Sequence, residues 1–449
     1  MVRKILKYQS LLLTIGGFAI NLVPFLLFML LINRHGELIT NVLPFALFYS
    51  FRRTSLFMFR GNPSQNYSLG WLGLSSALIG YTIGIFGQLS PICWDISAIG
   101  AGIGAALFPS VQKESVSGTA NTNNQDKVPH STLMMLIAIL ILIGIIAFTE
   151  KRFPFIGFIL MIVYSIFGLL GFHFDPSPKS TNNHINIRYS NVLLSFALFV
   201  SVILVRVARS EGIGTPALLG VAILGTILII TTLLLVNTNH TNHTITNDIR
   251  VRLMVFGTCA DFCAIFSAIY IGVKFGVTTF MWIIVAYLAA FIFASPMVTV
   301  LQRRFQHTSS LTIDLIGIFV GLLLTFILPL YFVGIFLIRA FASVLNKNAI
   351  NDYEHSSIEN RDNAFMVSYR LISTAGLGTQ FILWLSLIIS MHFQQTSFNQ
   401  ILGSFAFHQP TTKFDVPILI THIILVICIS GFLYYVHRVN QPAFSGSKH

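Results

Sequence analysis

The sequence predicts an all-α, polytopic membrane protein with about fourteen spanning helices, a count read from apolar runs of spanning length. Three observations carry this. Of 449 residues, 55% are hydrophobic and only 9% are charged, whereas a soluble domain carries roughly 25% charged residues. The 13% aromatic content includes 41 phenylalanines, more than a water-facing surface could absorb. The apolar residues also fall into runs of about 20, the length that crosses hydrocarbon as a helix. A soluble enzyme, a secreted disulfide scaffold and a disordered chain are excluded.

The first run, 10–33, follows a basic stretch. It is about twice as long as a signal-peptide core and has no small-residue cleavage site, so it reads as a retained span. Then come 38–51, 69–89, 91–111, 132–149, 153–173, 190–209, 213–236, 251–275 and 277–301. From 311 to 350 the apolar run is about 40 residues long, too long for one crossing. Pro329 and Leu330 sit at its midpoint and divide it into 311–328 and 331–350. The last two runs are 365–391 and 416–437.

The net charge of +12 lies in short loops between these runs, so it implies membrane topology and not nucleic-acid binding. With fourteen helices and both termini cytoplasmic, about 19 Lys and Arg fall inside and about 7 outside, as the positive-inside rule expects. The inner set includes Arg3, Lys4, Lys7, Arg52, Arg53, Arg60, Arg303 and Arg304. Lys151 with Arg152, and Arg206 with Arg209, run against the rule; the latter two can snorkel to the interface. The longer loops, 112–130, 174–189, 237–249 and 392–415, are polar and too poor in hydrophobes to form another domain.

No Walker-type loop, His-Glu-x-x-His pair or Ser/His/Asp grouping occurs in an exposed segment, and no cofactor is implied. Cys259 and Cys263 lie one helical turn apart without further ligands, and they read as buried small apolar residues. His240 and His243 sit in a repetitive Asn/Thr/His connector that reads as a solvated linker. No metal site is assigned.

Three stretches carry a family resemblance. SPMVTVLQRRFQHTSSLTID (295–314) resembles a cytoplasmic loop of the major facilitator transporters, in which basic residues bridge neighbouring helix ends. YFVGIFLIRAFASVLNKNAINDYEHSSIENRDNAFMVSYRLISTAGLGTQ (331–380) resembles that family's tenth helix, loop and eleventh helix. IGAGIGAALFPS (99–110) is similar to its fourth helix. The resemblance implies two six-helix bundles, 1–175 and 250–449, with an extra helix pair in 176–249, as in the fourteen-helix drug:proton antiporter branch. The pattern is incomplete. No Asp precedes Arg52, Gln302 stands where an acid can occur, Ala98 occupies the place of a proton-relay Arg, and 132–149 has one Gly and no Pro.

An ionisable group in hydrocarbon costs about 2.5–3.5 kcal/mol on insertion scales, so each intramembrane charge is a candidate site. Asp261, in TCADFCAIF, is the most deeply placed acid and is assigned a proton or a cationic substrate, or else a structural Arg partner. Arg339, near mid-helix in LIRAFAS, is assigned an anionic substrate or an acid such as Asp261. Asp95, beside Trp94, lines the outer mouth or anchors the interface. Asp314 and Arg370 lie near cytoplasmic helix ends, where they make gate or helix-end contacts. With Arg52, Arg53, Arg303 and Arg304 they fasten the cytoplasmic side. Gly100, Gly102 and Gly104, followed by Pro109, permit close helix packing.

The resemblance, together with these buried charges, implies a secondary transporter of the plasma membrane that exports a small amphipathic or hydrophobic solute by alternating access. Protons are a candidate coupling ion, and the partners are solute and lipid. The rivals are a lipid-linked glycan flippase and a non-transporting scaffold or sensor of the same fold. A membrane-embedded enzyme lacks the clustered His, Asp or Glu that it would need.

Overall fold

Inside a bilayer each backbone N–H and C=O must find its partner within the spanning segment, so the apolar runs become helices. The computed structural model describes residues 2–21, 23–32, 38–59, 65–120, 137, 141–142, 144–146, 153–174, 185, 187, 189–211, 219–223, 225–227, 245–275, 277–356, 358–394 and 415–440. Among these residues there is no sheet; Phe59 and Ile187 form one isolated bridge. Eight helical stretches among them are long and apolar enough to cross a membrane. The runs 132–149 and 213–236, with Arg60, Lys151, Arg152, His240 and His243, lie wholly or largely outside the described residues.

The chain divides into two units, 1–211 with 365–367, and 212–364 with 368–449. Unit 1 contains α1 (Val2–Asn21), α2 (Val23–Ile32), α3 (Leu38–Thr54), α4 (Asn66–Gly84), α5 (Ile92–Ala120), α6 (Pro154–His173) and α7 (Tyr189–Glu211). Its tightest contact joins α4 and α5. A Cβ on Gly100 would stand 2.5 Å from the Ser76 carbonyl oxygen, and one on Gly104 would stand 2.7 Å from the Ala77 Cβ. Gly102 points the other way, where a Cβ would meet the Phe48 carbonyl oxygen at 2.7 Å. One helix thus presents small residues to two neighbours, α4 and α3, so both backbones approach closely. Pro109 lies inside α5 and is buried. Helix α7 packs along α3, and the Ser195 hydroxyl donates to the Thr54 carbonyl at 2.7 Å.

Unit 2 contains α8 (Asn247–Asp261), a π-helical turn (Phe262–Phe266), α9 (Ser267–Phe275), α10 (Val277–Arg304), α11 (Ser310–Leu324), α12 (Tyr331–Ser356), α13 (Ile358–Phe393) and α14 (Asp415–Val439). The long apolar run does break near Pro329: α11 ends at Leu324, and a 3-10 turn at Leu328–Leu330 leads into α12. Helix α12 packs against α8, α10 and α11. Its contact with α10 is built from Ala290, Ala294 and Ala340. Its contact with α11 pairs Gly321 and Gly334, where a Cβ on Gly334 would lie 2.7 Å from the Gly321 carbonyl oxygen. Large apolar side chains such as Ile316, Phe293 and Ile427 stay exposed on the outer faces, as expected where the solvent is lipid.

Candidate functional site

The candidate site lies in the interior of unit 2, where the intramembrane charges are held. Asp261 is the last residue of α8 before the π turn, a local widening of the helix that often marks functional positions. It lies about 21 Å along the helix from Asn247, at 1.5 Å per residue, and its side chain is 1% exposed. The surface it packs on belongs to α13. Gly257 and Asp261, one turn apart, face Ile372, Gly376 and Gln380, also spaced at single turns. Gly257 meets the Ile372 carbonyl, and a Cβ on Gly376 would lie 2.6 Å from Asp261 Oδ2. The Gln380 side-chain amide donates to the same Oδ2 at 2.7 Å. The carboxylate therefore sits on a glycine-smoothed helix face with an amide donor directed at it.

Arg339 is 8% exposed on α12. Its guanidinium carbon lies 4.0 Å from the Phe256 ring centroid and 4.3 Å from that of Tyr287. Helices α8 and α10 thus supply a ring to each contact, and cation–π attraction of about 0.5–2 kcal/mol each offsets part of the burial cost. Nε and Nη1 are buried without a hydrogen-bond acceptor among the described residues. Two aromatic rings are thus neighbours that the structure gives this cation.

A third group was not singled out by the sequence analysis. His422 on α14 is 1% exposed, and its ring lies within 4.1 Å of the Phe326 centroid and 4.8 Å of Phe266. Phe262, Phe266 and Tyr270 follow one another at single-turn spacing, with centroids 5.2 and 5.9 Å apart. The Thr325 hydroxyl donates to Leu322 O at 2.6 Å and lies 2.8 Å from His422 Nε2. Since the hydroxyl has one proton, that geometry assigns the donor role in the second bond to the imidazole Nε2–H. Tyr331 stacks on Tyr270 at 5.0 Å and donates to Ser267 Oγ at 2.8 Å. The signal was present in the sequence: a lone His within the apolar run THIILVIC.

The remaining residues lie nearer the helix ends, except Arg370: its helix begins at Ile358, earlier than the apolar run, and so places Arg370 well inside α13 and not at its end. Asp314, 1% exposed, accepts from Gln302 Nε2 at 3.0 Å. The Gln found where an acid can occur thus ties α10 to α11. Arg303 and Arg304 are exposed at the end of α10. In unit 1, Arg52 Nη2 donates to Asn21 Oδ1 at 2.7 Å, joining α3 to α1, and Arg53 Nε donates to the Tyr49 hydroxyl at 3.3 Å. Asp95 is partly buried in the first turn of α5, where a negative charge favours the helix dipole. Arg370 is partly buried on α13, and its carbonyl accepts from Thr374. The side chains of Arg3, Lys4, Lys7, Arg206 and Arg209 lie outside the described set. Cys259 and Cys263 are buried, Cys428 is exposed, and all are free thiols.

Among solved structures, a point mutant of the peptide transporter POT is similar to the chain at TM-score 0.54. The two share 12% identity, and the match covers 96% of this chain and 94% of that one. A complex of the same transporter with alafosfalin matches at TM-score 0.54 and 11% identity, covering 97% and 96%. The POT family transporter PepTSo matches at 0.50 and 12%, covering 97% and 98%. The chain has the major facilitator fold. No family model matches its sequence, and no curated protein does. The likeness therefore lies in the arrangement of helices.

Proposed function

We propose that this chain is a secondary transporter of the plasma membrane, with both termini cytoplasmic, that exports a small amphipathic or hydrophobic solute by alternating access. In this reading 1–175 and 250–449 are the two six-helix halves, and 176–249 carries the additional pair. The observation that carries it is the buried Asp261 carboxylate, set against Gly376 and Gln380 at a π turn. A fold whose only task is to hold itself together gains nothing from an acid placed there at a cost of several kcal/mol. The solved structures of the same fold are described as peptide transporters, which supports solute transport as the task.

The mechanism follows from the helix surfaces. Gly257, Asp261, Gly376 and Gln380 form a smooth α8–α13 contact, on which a change of charge at Asp261 alters what the interface holds. A proton on Asp261 removes its charge and lets the Gln380 amide release it; loss of the proton restores the pair. Arg339 offers the opposite charge to the solute. Arg52 ties helix ends in unit 1, and Gln302 with Asp314 ties them in unit 2; in this reading both ties face the cytoplasm, as do Arg53, Arg303, Arg304 and Arg370, and Asp95 stands at the outer mouth.

The test uses purified protein in liposomes with an imposed pH gradient. Proton release is recorded as hydrophobic cations, anions and sugars are added in turn. The expected result is a solute-dependent proton flux that Asp261→Asn abolishes and Asp175→Asn, in a polar loop, leaves intact. Equal flux in both variants removes Asp261 from the mechanism, and no flux with any solute removes proton coupling.

A further inference from the structure

We propose that Arg339, with Phe256 and Tyr287, forms the receptor for a carboxylate or similar oxyanion on an amphipathic solute. The proposal rests on the transporter reading and narrows its substrate to anionic amphiphiles. A guanidinium has two kinds of surface. Its faces are attracted to aromatic rings, and its edge carries five N–H donors that need acceptors. At Arg339 the guanidinium carbon lies over the Phe256 ring at 4.0 Å and over the Tyr287 ring at 4.3 Å. Two of its nitrogens lack acceptors: Nε and Nη1 are buried and have no acceptor among the described residues, although the residue is 8% exposed.

A buried donor without an acceptor costs about 1–3 kcal/mol, and more when charged. Stacking holds the guanidinium plane fixed but cannot satisfy in-plane donors. An oxyanion can, its two oxygens taking Nη2 together with Nε or with Nη1, the two pairs that a guanidinium presents as a fork, in charge-assisted bonds. The fork is thus pre-oriented by ring faces from α8 and α10. A bound solute would place its oxyanion on the guanidinium edge of Arg339 and its apolar part against the neighbouring apolar side chains. Lysine at this position would keep the charge and lose the planar fork.

The test measures binding to the full chain in nanodiscs of three probes that share one acyl chain: N-octanoylglycine, N-octanoylglycinamide and N-octanoyl-ethylenediamine. They differ only in carrying a carboxylate, a neutral amide or an ammonium group. The wild type is expected to bind the carboxylate at least tenfold more tightly than the amide, and the ammonium most weakly. Arg339→Gln brings the carboxylate-to-amide ratio to about one, and Arg339→Lys leaves an intermediate ratio. Tyr287→Leu, which keeps the charge and removes one ring face, lowers the ratio at least threefold. The proposal is overturned if the wild type binds carboxylate and amide equally, if it fails to bind the carboxylate, or if the ratio survives in Arg339→Gln or Tyr287→Leu. A purely structural clamp would instead lower the unfolding temperature of these variants without changing the ratio. Solute-driven proton flux with cations or neutral solutes alone would sink the anion site and leave the transporter reading standing.

Discussion

At residue scale, the buried charges are held by quite different means. Asp261 has a small neighbour that lets a helix face come close and an amide that donates to it. Both parts are testable. Gly376→Ala places a methyl 2.6 Å from Asp261 Oδ2 and should destabilise the protein by about 1–3 kcal/mol through overpacking. Gln380→Leu removes a donor from a buried acid and should cost about 1–3 kcal/mol. Thermal unfolding in detergent checks both; unchanged unfolding in either variant contradicts the packing described. Asp261 and Arg339 were legible in the sequence because a charge inside an apolar run stands out. Their partners were not. Phe256 and Tyr287 look like any other aromatic residues of a spanning helix, and Gln380 lies a helix away and 119 residues along the chain. His422 was legible by the same rule as Asp261, as a lone polar ring inside an apolar run.

At the scale of elements, close helix contact outweighs ionic contact. Arg252 Nη1 meets Asp352 Oδ2 at 2.6 Å and bridges α8 to α12, but the Asp352 side chain is 47% exposed. Such a pair is worth about 0–1 kcal/mol and is weakened by salt. Gly100 faces the α4 backbone with no room for a side chain. Arg252→Ala should therefore shift unfolding by no more than about 1 kcal/mol, whereas Gly100→Leu should cost about 1–3 kcal/mol or prevent assembly. A larger loss from Arg252→Ala would reverse that ranking. The break at Pro329 was visible because the apolar run was twice a crossing length. The π turn after Asp261 had no visible sign, since FCAIF has the composition of an ordinary apolar helix.

At the scale of the molecule, composition and run length were enough to place the chain in a membrane, and the helical fold agrees with them. The family resemblance in the sequence was faint because it rests on few residues: in that reading Gln302 stands where an acid can occur, and Ala98 where an arginine does. Fold similarity at 11–12% identity persists because packing is met by many apolar sequences of similar shape and volume. Substrate chemistry depends on a few side chains, so fold alone does not carry it. The central claim is alternating access, and solute counterflow tests it without reference to the coupling ion. Proteoliposomes are loaded with unlabelled N-octanoylglycine, its amide or its amine, and diluted into trace labelled solute of the same kind. A carrier that presents one site to each side in turn makes the label inside rise transiently above its equilibrium level. Alternating access predicts that overshoot for at least one of the three, whereas a monotonic approach to equilibrium for all of them would contradict it.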